Sequence, residues 1–278
     1  LGSEGRACSY ADLATLLDFT TEALRAGGFG PGSVFALVTP NGPVNATSFL
    51  ALGCAGVCAP LNPRYRSSDF EFYLDDLGAG ALVVASGLET PARDVARARG
   101  IPVIEMHARS GRFAGAFDLV MPAAAECPRP VERPFAPDVA MVLHTSGTTS
   151  RPKMVPLTHM NLVRSAGNVA RVLGLGPGDL CLNIMPLFHI HGLVAALLAS
   201  LQASAAVACS GGYVATEFFD LLRCFKPTWY TAVPTMHQGI LERVAPHADL
   251  LERLRLRFVR SSSAALPPPV LHALEAAF

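Results

Sequence analysis

Residues 139–159 are V-A-M-V-L-H-T-S-G-T-T-S-R-P-K-M-V-P-L-T-H, an apolar run followed by a loop rich in hydroxyl side chains. The apolar run predicts a short buried strand. The loop supplies hydroxyl and backbone N–H donors and a mobile positive charge from Ser146, Gly147, Thr148, Thr149 and Lys153. Donors of this kind suit a polyphosphate. A solvated Ser/Thr turn between two strands accounts for the same composition, so composition by itself leaves both interpretations open.

The spacing of glycine, lysine and hydroxyl residues in this loop differs from that of one class of nucleotide-binding loop and resembles that of another. A P-loop has the pattern G-x-x-x-x-G-K-[ST], whereas this loop has one glycine and no Ser or Thr after Lys153. Residues 145–159, T-S-G-T-T-S-R-P-K-x-V-P-L-T-H, closely resemble the phosphate-binding signature of the adenylate-forming (AMP-binding) superfamily. That superfamily includes acyl-CoA synthetases, firefly luciferase and the adenylation domains of peptide synthetases.

The resemblance implies roles for the residues that match the signature. In the family this loop binds the β- and γ-phosphates of ATP, and the implied ATP-binding residues are Thr145, Ser146, Gly147, Thr148, Thr149 and Lys153. Lys153 is implied to act in catalysis as well. The usual signature has glycine where this chain has Ser150 and Met154. Serine followed by arginine at 150–151 is similar to the variant of oxalate–CoA ligases and related short-acid CoA ligases.

Three other stretches resemble the same superfamily. F-A-L-V-T-P-N at 35–41 and L-A-L-G-C-A-G-V-C-A-P-L-N-P-R-Y at 50–65 are similar to its opening β-α-β unit. This resemblance is independent of the phosphate loop. T-W-Y-T-A-V-P-T at 228–235 resembles the oxalate–CoA ligase branch, and we interpret its single tryptophan as a packing residue.

Two histidines stand two residues apart in P-L-F-H-I-H-G-L, residues 186–193. If this segment is extended, His189 and His191 point the same way and could bind a metal, but no third ligand is evident and we predict no metal site. We interpret His191 as a hydrogen-bonded core histidine. His189 matches the family's F-H position, which lies beside the acyl and α-phosphate site, so the resemblance implies that His189 is a catalytic and substrate-binding residue.

A second polar segment, F-V-R-S-S-S-A-A-L at 258–266, matches the family strand and turn that lie against adenine and substrate. The commoner version of the turn is G-G-A-P-L, whereas the oxalate–CoA ligase branch has a sequence similar to R-S-C-S-A-S-L. The resemblance implies that Ser263 contacts the acid and that Ala264 lines the same site. Small polar groups there suit a short diacid better than a fatty chain. A Ser-rich turn ahead of the three prolines at 267–269 is the alternative interpretation.

Helical and strand patterns alternate along the chain. Helices are predicted at 10–26, 44–56, 67–77, 91–100, 159–173, 213–225 and 234–245, and strands at 34–38, 81–85, 101–105, 139–143, 180–185, 228–233 and 256–260. The alternation predicts an α/β fold of two stacked subdomains, with largely parallel sheets, helices packed on them in three layers, and sites at the carboxyl ends of the strands. We predict a long connection at 106–138 and therefore place the subdomains at 1–137 and 138–278.

Composition limits the class of partner. Of the 278 residues 51% are hydrophobic, enough for a sizeable core, and 22 acidic residues balance 22 basic ones. We therefore expect neither nucleic acid nor an anionic membrane as a partner. The apolar run 193–209 is too short to span a bilayer and predicts a buried helix leading into a strand. Seven cysteines without a C-x-x-C pair indicate a reducing compartment, so we predict a cytoplasmic protein, or a peroxisomal one in a eukaryote.

The residues and the resemblance together predict the N-terminal portion of an ATP-dependent acid–CoA ligase. It would activate a small carboxylic acid, with oxalate as the first choice, as an acyl-AMP and pass the acyl group to CoA, using ATP, Mg²⁺ and coenzyme A. The family's magnesium-binding glutamate and mobile C-terminal domain would follow Phe278, where a helical pattern still runs. Two other functions stay open: a domain that charges a carrier protein instead of CoA, and a nucleotide-binding fragment that turns nothing over. The sequence predicts no oligomeric state.

Overall fold

The computed structural model describes residues 6–122, 130, 133–145 and 152–278. They form two compact units, of which the first contains residues 6–40 and 44–162 and the second contains residues 41–43 and 163–278. The division follows residue 162, whereas the sequence pattern placed it at residue 137. The difference arises because the two strands that flank the hydroxyl-rich loop hydrogen-bond to the sheet of the first unit.

The first unit is built on a seven-stranded sheet with the order β5-β4-β3-β1-β2-β6-β7. Its strands are β1 (Val34–Val38), β2 (Val57–Pro60), β3 (Ala81–Ala85), β4 (Val103–Ala108), β5 (Phe117–Val120), β6 (Val139–Thr145) and β7 (Lys153–Thr158). Its helices are α1 (Tyr10–Ala26), α2 (Pro43–Ala55), α3 (Ser67–Leu77) and α4 (Ala92–Ala98), and α5 (His159–Val172) begins in this unit and continues into the second.

The central strands of this sheet are parallel and buried, and the two edge strands are antiparallel. β1 pairs in parallel with β2 and β3, and β5 and β7 pair antiparallel with β4 and β6. β1 and β3 are almost continuous aliphatic runs, as expected for parallel strands covered on both faces. Phe70 and Leu74 of α3 pack against Val84 in this core, and each such buried side chain contributes about 1.5–3 kcal/mol.

Local hydrogen bonds fix where the helices begin and end. Ser9 Oγ accepts from the Asp12 backbone N–H at 3.1 Å and Asp12 returns the bond to the Ser9 N–H at 3.0 Å, which caps α1. Thr158 and Asn161 make the same reciprocal pair at the start of α5, at 3.1 and 3.0 Å. Gly78 ends α3 in the left-handed conformation that glycine adopts without steric cost.

The second unit contains a four-stranded parallel sheet with the order β11-β10-β8-β9. Its strands are β8 (Leu180–Asn183), β9 (Ala206–Cys209), β10 (Trp229–Ala232) and β11 (Phe258–Ser261). Its helical segments are a π-helix (His191–Leu198), α6 (Ala199–Gln202), α7 (Phe218–Phe225), α8 (Pro234–Leu241), a 3₁₀ turn (Ala245–His247), α9 (Ala248–Arg253) and α10 (Pro268–Ala277). Phe218, Phe219 and Tyr230 are fully or almost fully buried in its core.

The α/β fold with a largely parallel sheet is confirmed, and the sequence missed the antiparallel strands. β5 lies inside the predicted long connection and β7 lies inside the predicted loop, because both are short edge strands with weak periodicity. The apolar run 193–209 forms most of the π-helix, then α6 and β9, which is the predicted helix leading into a strand. Among the described residues, no helix combines the length and the hydropathy needed to cross a membrane.

Gly56 offers a test of the packing at the first sheet. A Cβ atom there would lie 2.6 Å from the Ser33 backbone oxygen and 2.9 Å from the Phe35 ring. We expect Gly56→Ala to lower the free energy of unfolding by about 1–3 kcal/mol in urea denaturation, because the backbone must shift to admit the methyl group. Gly32→Ala is the matched control, since its Cβ would meet no atom within 4 Å. Equal stability of the two variants would contradict this packing.

Candidate functional site

Polar side chains meet at the carboxyl edge of the second sheet. Thr231 lies on β10, Arg260 lies on β11, Ser262 and Ser263 follow β11, and His191 begins the π-helix after β8. Because β8, β10 and β11 are parallel, their carboxyl ends lie at one edge. Side chains as far apart as 72 residues are thereby brought into contact. We call these five residues the histidine network.

His191 is hydrogen-bonded at both ring nitrogens. Its Nδ1 lies 3.0 Å from Ser263 Oγ, and its Nε2 lies 2.6 Å from Thr231 Oγ1 and 3.1 Å from Arg260 Nη1. The Arg260 guanidinium also donates to Thr231 Oγ1 at 3.2 Å and to Ser262 Oγ at 3.2 Å. The prediction of a hydrogen-bonded core histidine therefore describes His191 correctly, but its partners are the polar groups of this edge.

Arg260 decides which nitrogen of His191 carries the proton. A guanidinium has only N–H donors, so the Nε2 atom that faces it must accept. The proton then sits on Nδ1, which donates to Ser263 Oγ. Ser263 accepts this bond and retains its own hydroxyl hydrogen, and its side chain is exposed at the edge. The network therefore presents the Ser263 hydroxyl as a donor toward any ligand bound there.

Burial and positive charge keep His191 neutral. His191 is 5% exposed, and burial, the Arg260 cation and His237 together lower its pKa to about 4. Burial also lowers the pKa of Arg260. Among the described residues no carboxylate is paired with Arg260, whose side-chain partners are all neutral. A partly buried cation without a counter-ion favours the binding of an anion beside it.

The start of the π-helix is held by close backbone packing. A Cβ atom on Gly192 would lie 2.5 Å from the Pro186 backbone oxygen, so only glycine fits at this position without a shift. Asn183, the last residue of β8, donates from Nδ2 to the Gly192 backbone oxygen at 3.0 Å and accepts from the Met185 N–H at 3.2 Å. These contacts fix the position of His191 relative to the end of β8.

Asn41 fixes the segment between β8 and the π-helix from the other side. Its Nδ2 donates to the Met185 oxygen at 3.1 Å and to the Ser210 oxygen at 3.3 Å, and its Oδ1 accepts from the Leu187 N–H at 2.7 Å. All four residues belong to the second unit. One asparagine therefore ties together the chain after β8 and the chain after β9.

The segment that carries the two histidines is turned, not extended, so the condition for a shared metal site is not met. The His189 N–H donates to the Pro186 oxygen and the Leu193 N–H donates to the His189 oxygen, and this places the two rings in different environments. His189 lies beside Phe188, with ring centroids 4.6 Å apart, and is exposed. Neighbouring groups still remove part of the water around its ring, and this lowers the pKa of His189. Across the described residues, no cluster of three His, Cys, Asp or Glu is placed to hold a metal ion.

The structure describes only the two ends of the predicted phosphate loop. Ser146, Gly147, Thr148 and Thr149 lie outside the described residues. Thr145 ends β6 and Lys153 begins β7, and these two exposed residues are register partners in the antiparallel pair. The preceding residue, His144, anchors this end by a 2.8 Å contact between its Nε2 and Asp76 Oδ2.

Some of the residues predicted from the sequence lie in or beside the histidine network, and two members of the network were not predicted. Ser263 is in the histidine network, but its histidine partner is His191 and not His189. Ala264 is exposed next to Ser263. Arg260 and Thr231 were not identified as site residues, although each stands within two residues of the carboxyl end of a predicted strand, where sites of parallel sheets lie. An arginine among small residues at such a position was the available signal.

Comparison with known proteins gives consistent matches over this chain. A family model described as AMP-binding enzyme matches residues 1–278. An oxalate–CoA ligase of Arabidopsis thaliana is 42% identical over 280 residues, which cover 97% of this chain and 53% of that protein. An oxalate–CoA ligase of Saccharomyces cerevisiae is 35% identical over 245 residues, covering 81% of this chain and 44% of that protein.

A solved structure also matches the fold. The crystal structure of a long-chain-fatty-acid–CoA ligase from Archaeoglobus fulgidus matches with a TM-score of 0.81 and 22% identity, and the match covers 97% of this chain and 53% of that one. At this identity the likeness concerns the fold alone. The chain spans about half the length of the curated relatives it matches.

We expect Arg260→Gln to raise the pKa of His191 above its value of about 4, because the variant removes a cation that faces Nε2 while burial still holds the pKa below its ordinary value. Histidine-selective NMR titration measures this shift and reports which ring nitrogen carries the proton. In the parent protein His191 should be neutral with the proton on Nδ1 at pH 6. Arg243→Gln, which removes a surface cation paired with Glu242, is the control.

The lowered pKa of His191 makes the stability of the folded protein depend on pH. The pKa of His191 is lower in the folded protein than its ordinary value of 6.5, so its neutral form contributes stability that is complete above pH 6.5 and is lost as the pH falls toward 4. In Arg260→Gln the loss of this stability should be complete at a higher pH, because the pKa of His191 in the folded variant is higher. An unchanged His191 titration in the variant would contradict the assignment of the network.

Proposed function

Because the chain belongs to the AMP-binding enzyme family, we propose that the complete protein is an ATP-dependent acid–CoA ligase that activates a small carboxylic acid. The resemblance inferred from residues 145–159 is thereby confirmed at the level of the family. The proteins named oxalate–CoA ligase that are 42% and 35% identical to this chain support oxalate as the acid. Each of them is about twice as long as the matched region, so the activity proposed is that of the complete protein.

The proposed reaction has two steps and needs no protein nucleophile. A carboxylate oxygen attacks the α-phosphorus of ATP, a new O–P bond forms, and the P–O bond to pyrophosphate breaks. The sulfur of CoA then attacks the acyl carbon, a C–S bond forms, the C–O bond to AMP breaks, and the thiol proton passes to solvent. The protein must hold anions against each other and neutralise the charge that develops.

Residues of the first unit are proposed to hold the leaving pyrophosphate. The proposed set is Thr145, Ser146, Gly147, Thr148, Thr149 and Lys153, by resemblance to the family. The exposed Lys153 at the start of β7 supports this, since its ammonium group is free to reach a phosphate oxygen. Mg²⁺ would enter with ATP and neutralise phosphate charge. In such sites Mg²⁺ is bound by the substrate phosphates, one or two carboxylates and water.

The structural observation that supports a small diacid is the hydrogen bonding of Arg260. This partly buried cation has only neutral partners among the described residues. A second carboxylate of oxalate would supply the missing negative charge, and the Ser263 hydroxyl would donate to the same anion. A fatty chain would instead remove water from Arg260 without replacing its hydrogen bonds. His189 remains a proposed contact to the acid, and Ala264 a proposed apolar wall beside Ser263.

The experiment for the function itself uses the complete protein with ATP, Mg²⁺, oxalate and CoA. We expect AMP, pyrophosphate and the oxalate thioester of CoA, detected by mass spectrometry. If acyl-AMP forms but its acyl group is transferred only to a carrier protein, the acceptor is the carrier protein and not CoA. Nucleotide binding without any acyl-AMP would overturn the proposed activity.

Lys153→Ala in the complete protein should slow oxalate-dependent ATP–pyrophosphate exchange by about 10²-fold, because the leaving pyrophosphate loses a counter-charge. Exchange of radiolabelled pyrophosphate into ATP measures this. Arg171→Ala removes an exposed cation of α5 whose side chain donates to Asn168, and it serves as the control. An exchange rate equal to that of the parent would contradict the proposal that Lys153 neutralises the leaving pyrophosphate.

Arg260→Gln should change the choice between acids. We expect kcat/KM for oxalate to fall about 10- to 100-fold more than kcat/KM for acetate, because only oxalate has a second carboxylate to lose its charged partner. Steady-state kinetics with both acids measure the ratio, and Arg243→Gln is again the control. Equal losses for the two acids would show that Arg260 does not recognise the second carboxylate.

A further inference from the structure

A second concave surface of the second unit lies away from the histidine network. It is a cavity of about 750 Å³ lined by residues of α7, the 3₁₀ turn and α9 and by the chain that follows them. Lys226 and Arg255 stand shortly before β10 and β11, at the amino ends of strands whose carboxyl ends carry the network. The cavity is therefore separate from the network, at the opposite edge of the same sheet. We call it the cationic cavity.

Positive charge is concentrated in this cavity. Its lining includes Arg223, Lys226, Arg253 and Arg255 but only one acidic residue, Asp249. The chain as a whole has equal numbers of acidic and basic residues, so the excess is local. Like charges gathered around one concave surface repel one another, and an anion bound between them removes that repulsion.

Most of these cations lack an internal partner. Arg223 is paired with Asp220, whereas the side chains of Lys226, Arg253 and Arg255 make no ion pair or hydrogen bond within the described part of the chain. Lys226 also has a φ of 49°, in the left-handed region where glycine or asparagine usually ends a helix. A lysine at this position costs backbone free energy that glycine would not.

The rest of the lining indicates what kind of anion fits. Leu250 and Leu254 supply apolar surface, and His247 is held by stacking on Phe219 at 4.1 Å between ring centroids. A cavity of this size is in the range of sites for small organic ligands. Three unpaired cations can each contact a different anionic group, and arginine pairs with phosphate through two parallel hydrogen bonds.

We propose that the cationic cavity binds a small molecule carrying two or more phosphate groups, and that any organic part of that molecule lies against Leu250 and Leu254. Arg253, Arg255 and Lys226 contact the phosphates. Both inorganic pyrophosphate and a nucleotide carry this chemistry. The site does not depend on the ligase activity proposed above, because it involves none of the residues assigned to that reaction.

The test measures hydrogen–deuterium exchange of the complete protein with inorganic phosphate, pyrophosphate or ATP added separately. We expect pyrophosphate to protect peptides covering residues 223–226 and 246–255, and phosphate to do so at least about tenfold more weakly. Protection by both pyrophosphate and ATP identifies the polyphosphate group as the ligand, and protection by ATP alone identifies a nucleotide. No protection of these peptides by either compound would overturn the proposal.

Two double variants at the same positions distinguish a loss of ligand binding from a loss of folding. The double variant Arg253→Gln, Arg255→Gln should lose the protection, and the double variant Arg253→Lys, Arg255→Lys should retain part of it because the charge is kept. Arg171→Gln, an exposed cation outside the cavity, should behave like the parent. Circular dichroism checks that each variant is folded. Undiminished protection in the glutamine variant would also overturn the proposal.

Discussion

The Arg260 guanidinium, held against a neutral histidine ring, is the interaction on which the carboxyl edge of the second sheet depends. It can only donate, so it fixes Nε2 of His191 as an acceptor and Nδ1 as a donor to Ser263. One charge thereby sets the direction of every hydrogen bond in the network. Because no carboxylate neutralises Arg260 among the described residues, the same charge remains available to an anionic substrate.

The network is held in place by backbone contacts that allow little variation. Gly192 must be a glycine because the Pro186 oxygen occupies the space of a Cβ atom, and Asn41 and Asn183 bond to the chain on both sides of the turn. A π-helix begins at this point, and π-helical turns often occur at functional sites. Stability comes from the buried parallel strands and their helices, so the edge is free to carry polar groups whose burial is costly.

The two ends of the second sheet carry positive charge in different settings. Arg260 is partly buried and makes several hydrogen bonds to neutral groups, whereas the cations of the opposite cavity are exposed and largely unpaired. The first setting favours a small, desolvated anion in one orientation. The second favours a larger anion whose charge is shared among mobile side chains. The balanced total charge indicates neither feature, because each depends on the burial and pairing of individual residues.

The sequence by itself determined the α/β class, the parallel strands, most helices, and the family resemblance of residues 145–159, because periodicity and loop motifs are local properties of the chain. It also named Ser263 as a candidate contact to the acid. Only the tertiary structure decided that Ser263 meets His191 and not His189, that Arg260 belongs to the site, and that β5 and β7 pair antiparallel. The first two facts depend on contacts between residues 72 and 69 positions apart, and the third depends on hydrogen bonding between neighbouring strands; no local pattern encodes either.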